Sequence, residues 1–445
     1  MLSLPDYVIN TIDIITANKF EAYLVGGSVR DYIMRQNPSD YDIATNATPE
    51  QLKNIFCGFK IFETGLKHGT ITLLYENNPV EITTYRVDGI YKDNRRPSEV
   101  MFVDSFYTDA SRRDFTMNAI GYNPKEGFKD FFGGMADIKN KIIRCVGNAE
   151  TRFEEDALRI LRAVRFSAAL GFTIEEETNS AVFAKKELLL NISAERINAE
   201  LIKLLCGKNA EAVIIKYIEV FAVFLPELHS IIRFDQNTPY HKYDLLTHTA
   251  KTISNCPAEK SLRLAAFLHD IGKPLARTCG KDGYSHFKGH QIKSTELARS
   301  ILNRLKFDNK TKNEVLFLIE NHHIKLIPDE IYMKKLISRH GYEKIQMLFL
   351  LQKADNLAKG DTPNERYNIR LQAEETFKKI QKEKPCLFIK DLALKGNRLI
   401  ADGVPPDNNV KIILSEILDQ VIQNNLENNE EVLFDYYKNN YSFDA

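Results

Sequence analysis

Two closely spaced aspartates, Asp40 and Asp42, are the first residues of the chain whose types and spacing could do chemistry. On a strand, successive side chains alternate between faces, so both carboxylates would project to the same side. Two such carboxylates can share two Mg²⁺ ions roughly 4 Å apart, an arrangement that suits in-line phosphoryl transfer. Taken alone, the spacing is more typical of a solvated turn, so the interpretation depends on the neighbouring residues.

A glycine turn comes shortly before this pair. The apolar run Tyr-Leu-Val ends at Gly26 and Gly27, and Ser28, Arg30 and Asp31 follow in a predicted short helix. Backbone amides at such a turn, together with the dipole of the following helix, favour a phosphate group. Neither Lys-Ser nor Lys-Thr follows the glycines, which disfavours a P-loop ATPase. The sequence therefore predicts a phosphate-binding turn beside a pair of carboxylates.

Histidines and acids form a second group of candidate ligands between residues 240 and 360. Imidazole and carboxylate groups are ligands that divalent transition metals or Mg²⁺ accept. The ordered series matches the HD phosphohydrolase-type pattern, and it predicts a divalent metal of unknown identity. The four expected ligands are His248, His269, Asp270 and Asp355, and His290 with one of the His322–His323 pair could complete a second metal position.

Composition limits the classes of protein that could carry these groups. The 445-residue chain has 60 Lys and Arg against 60 Asp and Glu, a formal net charge of zero, so contact with nucleic acid would be a local patch. No run approaches the roughly 20 apolar residues that a membrane span requires. Six scattered cysteines without a C-x-x-C pair argue against a disulfide framework or a thiolate zinc site. The N-terminus lacks signal-peptide character, which predicts a cytoplasmic protein.

The elements that must position these residues change type along the chain. Residues 21–140 alternate between short β-rich runs and polar or helical links, whereas almost everything after residue 150 has helical periodicity. The segment 150–171 is predicted to form one amphipathic helix that stops at Gly171. An α/β head on a helical body is therefore expected.

The linked pattern Gly-Gly-Ser-x-Arg-Asp followed by Asp-x-Asp resembles the DNA polymerase β-like nucleotidyltransferase superfamily. Six further segments resemble the ordered motifs of class II CCA-adding tRNA nucleotidyltransferases and bacterial poly(A) polymerases. The resemblance is strongest from about residue 20 to 205 and weaker after 370. The segments span residues 80–86, 91–105, 111–123, 130–138, 154–166 and 195–201.

The resemblance implies an elongated multidomain chain of α+β class, in which a small mixed β-sheet head precedes an all-α remainder. The implied domains are a polymerase β-like nucleotidyltransferase head (1–140), a helical neck for base recognition and RNA binding (141–235), an HD metal-dependent phosphohydrolase-like domain (236–360) and a helical, tRNA-binding tail (361–445).

It also implies roles for residues of the head. Asp40 and Asp42 would hold two Mg²⁺ ions, and Glu81 could be the third carboxylate, although a partly buried, ion-paired glutamate is nearly as good an interpretation. The implied nucleotide-binding residues around the glycine turn are Gly26, Gly27, Ser28, Arg30 and Asp31. Those implied for the triphosphate and sugar are Arg112, Arg113, Asp114 and Asn118.

The family reads the incoming base with protein groups, matched here by Glu155-Asp156, Arg159 and Arg162. On one helix Asp156 and Arg159 would be neighbours, so that a carboxylate acceptor and a guanidinium donor form one edge. Cytosine and adenine offer an amino group to the acid, whereas uracil and guanine present a carbonyl and would leave buried polar groups unpaired. A surface salt-bridge ladder is the alternative interpretation.

The implied activity is addition of CCA to the tRNA 3′ end from CTP and ATP, with the tRNA acceptor stem as partner and no membrane. The segment 91–105 resembles the family's loop for switching from C to A, and its full length favours complete CCA synthesis. Two alternatives share this chemistry: a poly(A) polymerase, and a half-enzyme adding only CC or A. Two others do not: an HD phosphohydrolase with a nucleotide-sensing head, and a non-catalytic tRNA-binding scaffold. The oligomeric state stays open.

Overall fold

A mixed β-sheet near the N-terminus and a long series of helices make up the computed structural model. The chain divides into two compact units, one formed by Met1–His229 with Asn303–Phe307 and the other by Ser230–Leu302 with Asp308–Ala445. Most of the predicted switch loop, residues 91–99, lies outside the described residues. The structure describes residues 4–38, 40–89, 100–239, 241–360 and 365–441.

The main sheet of the first unit contains seven strands among the described residues. They are β1 (Ala22–Val25), β2 (Asp42–Thr45), β3 (Lys60–Gly65), β4 (Thr70–Tyr75), β5 (Asn78–Thr84), β8 (Gly121–Asn123) and β9 (Gly127–Lys129), and β6 (Arg86–Asp88) pairs with β7 (Val100–Phe102) separately.

The sheet order is β3-β4-β5-β2-β1-β8-β9, with β2 and β5 parallel and the other adjacent strands antiparallel. All four side chains of β1 are buried, as expected for a central strand covered on both faces. In the β2–β5 pair, Asp42 lies directly opposite Glu81. The sheet therefore brings together two carboxylates that are far apart in sequence.

Helices of the first unit cover this sheet and continue beyond it. The helix α7 ends at Leu170, and the capping residue that follows, Gly171, has a left-handed φ of 73°, so the predicted stop is confirmed. The helices are α1 (Asp6–Ala17), α2 (Gly27–Ile33), α3 (Pro49–Ile55), α4 (Phe106–Ser111), α5 (Gly134–Asn140), α6 (Ala149–Glu155), α7 (Leu158–Leu170), α8 (Glu176–Ala184), α9 (Ala194–Leu205) and α10 (Ala210–Phe224), with short strands β10 (Ile142–Ile143) and β11 (Thr173–Ile174).

The second unit is helical apart from one small hairpin among its described residues. Its α11 packs against α12 and α17. The elements are α11 (Leu245–Asn255), α12 (Lys260–Leu268), α13 (Lys273–Ala276), β12 (Thr278–Cys279), β13 (Ser285–His286), α14 (His290–Arg304), α15 (Asn309–Asn321), α16 (Glu330–His340), α17 (Tyr342–Leu357), α18 (Glu365–Glu383), α19 (Gly396–Ala401), α20 (Asn408–Ile422) and α21 (Glu430–Asn440).

This sheet-containing head with a helical remainder is the predicted α+β class. The prediction of one continuous helix over 150–171 is wrong, because the chain breaks between α6 and α7 at Asp156, whose backbone is extended (φ −136°, ψ 100°). The Asp156 side chain accepts a hydrogen bond from the Leu158 amide, and such a local bond competes with helix formation. Among the described residues, no helix is both long and apolar enough to cross a membrane.

Candidate functional site

Three carboxylates meet at one end of the β2–β5 pair. Asp42 is the first residue of β2 and faces Glu81 across the sheet, while Asp40 lies in the loop just before the strand. The expectation that both aspartates lie on the strand is therefore wrong for Asp40. Burial and the negative charges of Asp40 and Glu81 raise the pKa of Asp42 to about 6, against the opposing charge of Arg113. Oxygen ligands of this kind fit Mg²⁺, and a bound cation would relieve their repulsion.

The predicted glycine turn lies directly beside these carboxylates. Gly26 has a φ of 73°, and a Cβ placed on it would stand 3.8 Å from both Arg113 Nη1 and Asp42 Oδ2. The buried Ser28 hydroxyl donates to the Val25 carbonyl at 2.9 Å, so it holds the turn together. The turn leaves room for a small group next to a carboxylate and a guanidinium.

Two of the predicted nucleotide contacts from the helix α2 are joined to the rest of the head. Arg30 pairs with its neighbour Asp31 at 2.7 Å and donates to Asn118 Oδ1 at 3.0 Å. Asn118 in turn donates to Asp114 Oδ1 at 3.1 Å. These residues therefore belong to one hydrogen-bonded network beside the glycine turn.

A buried acid that the sequence analysis did not single out holds Arg112 and Arg113. Asp109 accepts from Arg112 Nη2 at 2.6 Å and from Arg113 Nη2 at 2.9 Å, and the two arginines lower its pKa although burial opposes them. Its place three and four residues before the arginines is the signal that would have found it. Both cations are thus anchored by one carboxylate that is fully buried.

We expect Asp109→Asn to destabilise the protein by about 3 kcal/mol, because it leaves two guanidiniums around a neutral side chain. Chemical denaturation would measure the loss. Asp13→Asn is the matched control, since Asp13 pairs with Lys125 at the surface and should cost less than about 1 kcal/mol. Equal stability losses in both variants would contradict the anchoring role.

Arg162 of α7 forms an ion pair with Asp114. Its Nε donates to Asp114 Oδ2 at 2.8 Å, and Glu200 lies 4.0 Å from its Nη1. Burial alone would raise the pKa of Asp114, but Arg162 and the hydrogen bond from Asn118 outweigh it and lower the pKa to about 2. The structure therefore places Arg162 in an ion pair, with its side chain one-third exposed.

The prediction that Asp156 and Arg159 are neighbours on one helix is wrong, because Asp156 lies outside both α6 and α7. Asp156 lies in the break before α7, and its carboxylate is paired with Arg196. Arg159 is buried and donates to Glu155 Oε2 at 2.6 Å and to the Arg112 carbonyl at 2.8 Å. The ion pair of Asp156 is therefore with Arg196 and that of Arg159 is with Glu155.

The predicted histidine series comes together in the second unit. His248 Nε2 lies 3.1 Å from Asp355 Oδ1 and 3.4 Å from Asp270 Oδ2, and His269 Nε2 lies 3.1 Å from Asp270 Oδ2. All four residues present ligand atoms within 4.8 Å of one another. We call this set the inner group.

A second set shares Asp270 and forms the outer group with His290 and His322. Asp270 Oδ1 lies 3.2 Å from His290 Nε2 and 3.8 Å from His322 Nε2, and the two imidazole Nε2 atoms are 3.1 Å apart. His323, the alternative of the pair, is exposed, and its Nε2 lies 3.5 Å from Gln291. The geometry selects His322.

Each of the four imidazoles is oriented through its Nδ1 atom, which leaves Nε2 directed at the carboxylates. Metal-binding histidines use this arrangement, because a second hydrogen bond fixes the ring and its tautomer. The Nδ1 partners are the backbone carbonyls of Ala266 for His269 (2.8 Å), Phe287 for His290 (2.8 Å), Ile319 for His322 (2.6 Å) and Ala358 for His248 (3.4 Å).

The electrostatics of the inner group would suit a bound cation. The Nε2 atoms of His248 and His269 are buried and, among the described residues, have no hydrogen bond of good geometry. Burial would lower the pKa of His269, but Asp270 and Asp355 outweigh it and raise the pKa to about 9. In the outer group, burial and the nearby His269 lower the pKa of His322 to about 3. Buried imidazole nitrogens that lie among carboxylates without a well-formed hydrogen bond fit a divalent metal.

Comparison with family models identifies three matching regions. A "Poly A polymerase head domain" matches residues 22–144, a "Probable RNA and SrmB- binding site of polymerase A" matches 171–232, and tRNA nucleotidyltransferase domain 2 matches 290–437. The head-domain match contains the carboxylates and the glycine turn.

Curated relatives align with part of the chain. A CCA-adding enzyme of Listeria monocytogenes serotype 4b (strain CLIP80459) is 47% identical over 215 residues, which are 48% of this chain and 54% of the relative. One of Ligilactobacillus salivarius (strain UCC118) is 44% identical over 243 residues, 52% of this chain and 60% of the relative. The chain thus spans about half the length of the curated relatives it matches.

Solved structures align over nearly the whole chain. The Bacillus stearothermophilus CCA-adding enzyme in complex with CTP is 27% identical and has a TM-score of 0.72. The alignment covers 98% of this chain and 98% of that one. The Thermotoga maritima CCA-adding enzyme complexed with tRNA_CCA is 20% identical with a TM-score of 0.56, covering 98% of this chain and 96% of that one, and shares the fold.

Proposed function

We propose that the chain adds C, C and A to the 3′ end of tRNA, using CTP twice and ATP once, because parts of it match a poly A polymerase head domain and a tRNA nucleotidyltransferase domain and its fold is similar to that of a solved CCA-adding enzyme. The observation that carries this proposal is the cluster of Asp40, Asp42 and Glu81 beside the Gly26 turn and Arg113. Relatives named as CCA-adding enzymes, including one solved with CTP and one with tRNA, support the choice of substrates. We propose a cytoplasmic location, because tRNA is the proposed substrate.

The head would act mainly by positioning and by electrostatics, as phosphoryl transfer requires. The nucleotidyltransferase fold implies a divalent metal, and Mg²⁺ held by Asp40 and Asp42 would activate the tRNA 3′-hydroxyl and stabilise the pyrophosphate leaving group. Glu81, which lies opposite Asp42, would accept the hydroxyl proton or complete the ligand set. Arg112 and Arg113, anchored by Asp109, offer guanidinium donors for the triphosphate.

The neck would supply the base-reading groups, with Asp156 as the acceptor for the amino group of cytosine or adenine. Arg159 is enclosed by its own partners, so its contribution would be to fix the backbone around Glu155 and Arg112. In this proposal the Asp156 carboxylate recognises the amino group of the base and nearby arginines support it. A carboxylate and a guanidinium side by side on one helix would not be needed.

Labelled CTP and ATP offered with Mg²⁺ to three tRNA transcripts, lacking the last three, two or one nucleotides, would test the proposal. Ordered growth to CCA on all three is the expected result. Extension of the last transcript alone would indicate an A-adding enzyme, and long A tails a poly(A) polymerase. No incorporation on any transcript would refute nucleotidyl transfer.

A second candidate function is supported by the inner and outer groups. We propose that they hold one or two divalent metals and hydrolyse phosphoester bonds at RNA ends, including 2′,3′-cyclic phosphates. The converging imidazole Nε2 atoms and the shared Asp270 carry this proposal. Release of phosphate or opening of a cyclic phosphate with Mg²⁺, Mn²⁺ or Ni²⁺, lost in His269→Ala but kept in Asp42→Ala, would support it. Activity lost in Asp42→Ala alone would contradict it.

A further inference from the structure

The carboxylate of Asp156 is held from one side by a guanidinium. Arg196, in the first turn of α9, donates from Nη1 to Oδ1 at 3.2 Å and from Nη2 to Oδ2 at 2.7 Å. The Leu158 amide donates to Oδ1 at 3.1 Å. Both charged side chains remain partly exposed, 20% for Asp156 and 28% for Arg196, so one side of the pair faces solvent. The pair is bidentate, which fixes the plane of the carboxylate as well as its position.

Counting acceptor positions shows which oxygen is left for a ligand. An ionised carboxylate has about four acceptor positions, two on each oxygen. Arg196 and Leu158 use both positions on Oδ1, and Arg196 uses one on Oδ2. Among the partners that the described residues provide, one acceptor position therefore remains, and it is on Oδ2.

From this geometry we infer that Arg196 is a positioning residue for base selection, because it leaves Oδ2 of Asp156 as the single oriented acceptor for a nucleobase amino group. The inference rests on the proposed base-reading role of Asp156. Cytosine and adenine can donate to Oδ2, whereas uracil and guanine would place a carbonyl oxygen against it. Two facing acceptors cannot share a hydrogen bond, so these bases are rejected.

Rejection requires that the carboxylate cannot turn away. Without the bidentate contact, rotation about the last side-chain bond would let water bridge Asp156 to a carbonyl, and the penalty for uracil would fall. Neighbouring cations do not replace Arg196, because Arg159 is buried with Glu155 and Arg162 is paired with Asp114.

Arg196→Gln and Arg196→Lys would test the inference through nucleotide selectivity. The readouts are the ratio of kcat/KM for CTP over UTP on a tRNA lacking CCA, and the ratio of equilibrium dissociation constants for the same two nucleotides. We expect Arg196→Gln to lower both ratios by about tenfold or more, mainly because UTP gains relative to CTP. Arg196→Lys keeps one contact and should give an intermediate ratio.

Arg304→Gln is the matched control, because Arg304 forms the same bidentate pair with Glu227 at 2.9 and 2.7 Å in the same unit. It should leave both ratios unchanged. If Arg196→Gln and Arg196→Lys slow CTP and UTP equally, Arg196 has only a structural role and the inference is overturned. A wild-type protein without any preference for CTP over UTP would instead refute the base-reading role of Asp156, and the inference with it.

Discussion

Asp42→Asn is expected to lower the rate of nucleotide transfer by about 10³-fold or more, since it removes a charged ligand from the proposed magnesium site. The same change should stabilise the metal-free protein. Asp42 is held beside Asp40 and Glu81 in a partly buried position, and its pKa is raised to about 6. Loss of activity accompanied by a gain in stability would separate a functional carboxylate from a structural one.

The sign of the stability effect follows from the raised pKa. A carboxyl group that binds its proton more tightly in the folded state favours folding at low pH, and that contribution is lost as pH rises through about 6. At pH 8 the ionised Asp42 therefore costs up to about 3 kcal/mol relative to an ordinary aspartate. The gain from Asp42→Asn should be greatest at pH 8 and about half as large at pH 5.

Urea unfolding in EDTA at the two pH values would measure this gain in the free energy of unfolding. Added Mg²⁺ should stabilise the wild-type protein by a similar amount but should not stabilise Asp42→Asn. Asp13→Asn serves as the control, because Asp13 is at the surface with Lys125. An Asp42→Asn protein that is less stable than wild type at pH 8 would contradict the proposed electrostatic strain.

Asp270→Asn should have the largest effect in the second unit. Asp270 is buried, belongs to both ligand groups and pairs with Lys273 Nζ at 2.7 Å. We expect a loss of about 3–5 kcal/mol in the free energy of unfolding, because buried cations lose their partner. Binding of a divalent metal should weaken by at least about 100-fold at both positions.

Asp355→Asn is the informative comparison for this variant. Asp355 belongs to the inner group and pairs with Lys359 at 2.8 Å, but it is absent from the outer group. Metal titration by calorimetry should therefore show loss of the inner position with retention of an outer one. Identical titrations for the two variants would argue against two positions that share Asp270.

Much of the candidate chemistry was predictable because it lies in short, ordered motifs. The aspartates, the Gly26 turn and the histidine series were all found from residue types and spacing, and the structure brings each set together. Period-2 and helical patterns also predicted the mixed head and the helical remainder. The division into four domains and the roles of the site residues stay predictions.

What the sequence could not predict depends on contacts between distant residues. Strand alternation suggested that Asp40 lies on β2, but the strand begins at Asp42, since boundaries are set by pairing with β1 and β5. Helical periodicity continued through Asp156 because a side chain that bonds the Leu158 amide leaves the hydrophobic pattern unchanged. The partner that fixes Asp156, Arg196, is 40 residues away, and no local pattern joins them.

The in-register pairing of Asp42 with Glu81 would link the proposed catalysis to the assembly of the sheet. Side chains alternate along both strands, so a slip of β5 by a single residue would turn Glu81 to the opposite face and leave Asp42 without its neighbour. A misaligned head could retain its secondary structure and still lose the proposed magnesium site. Magnesium affinity would therefore report whether the two strands are correctly aligned. Bound magnesium would also stabilise the aligned head relative to heads with a shifted register.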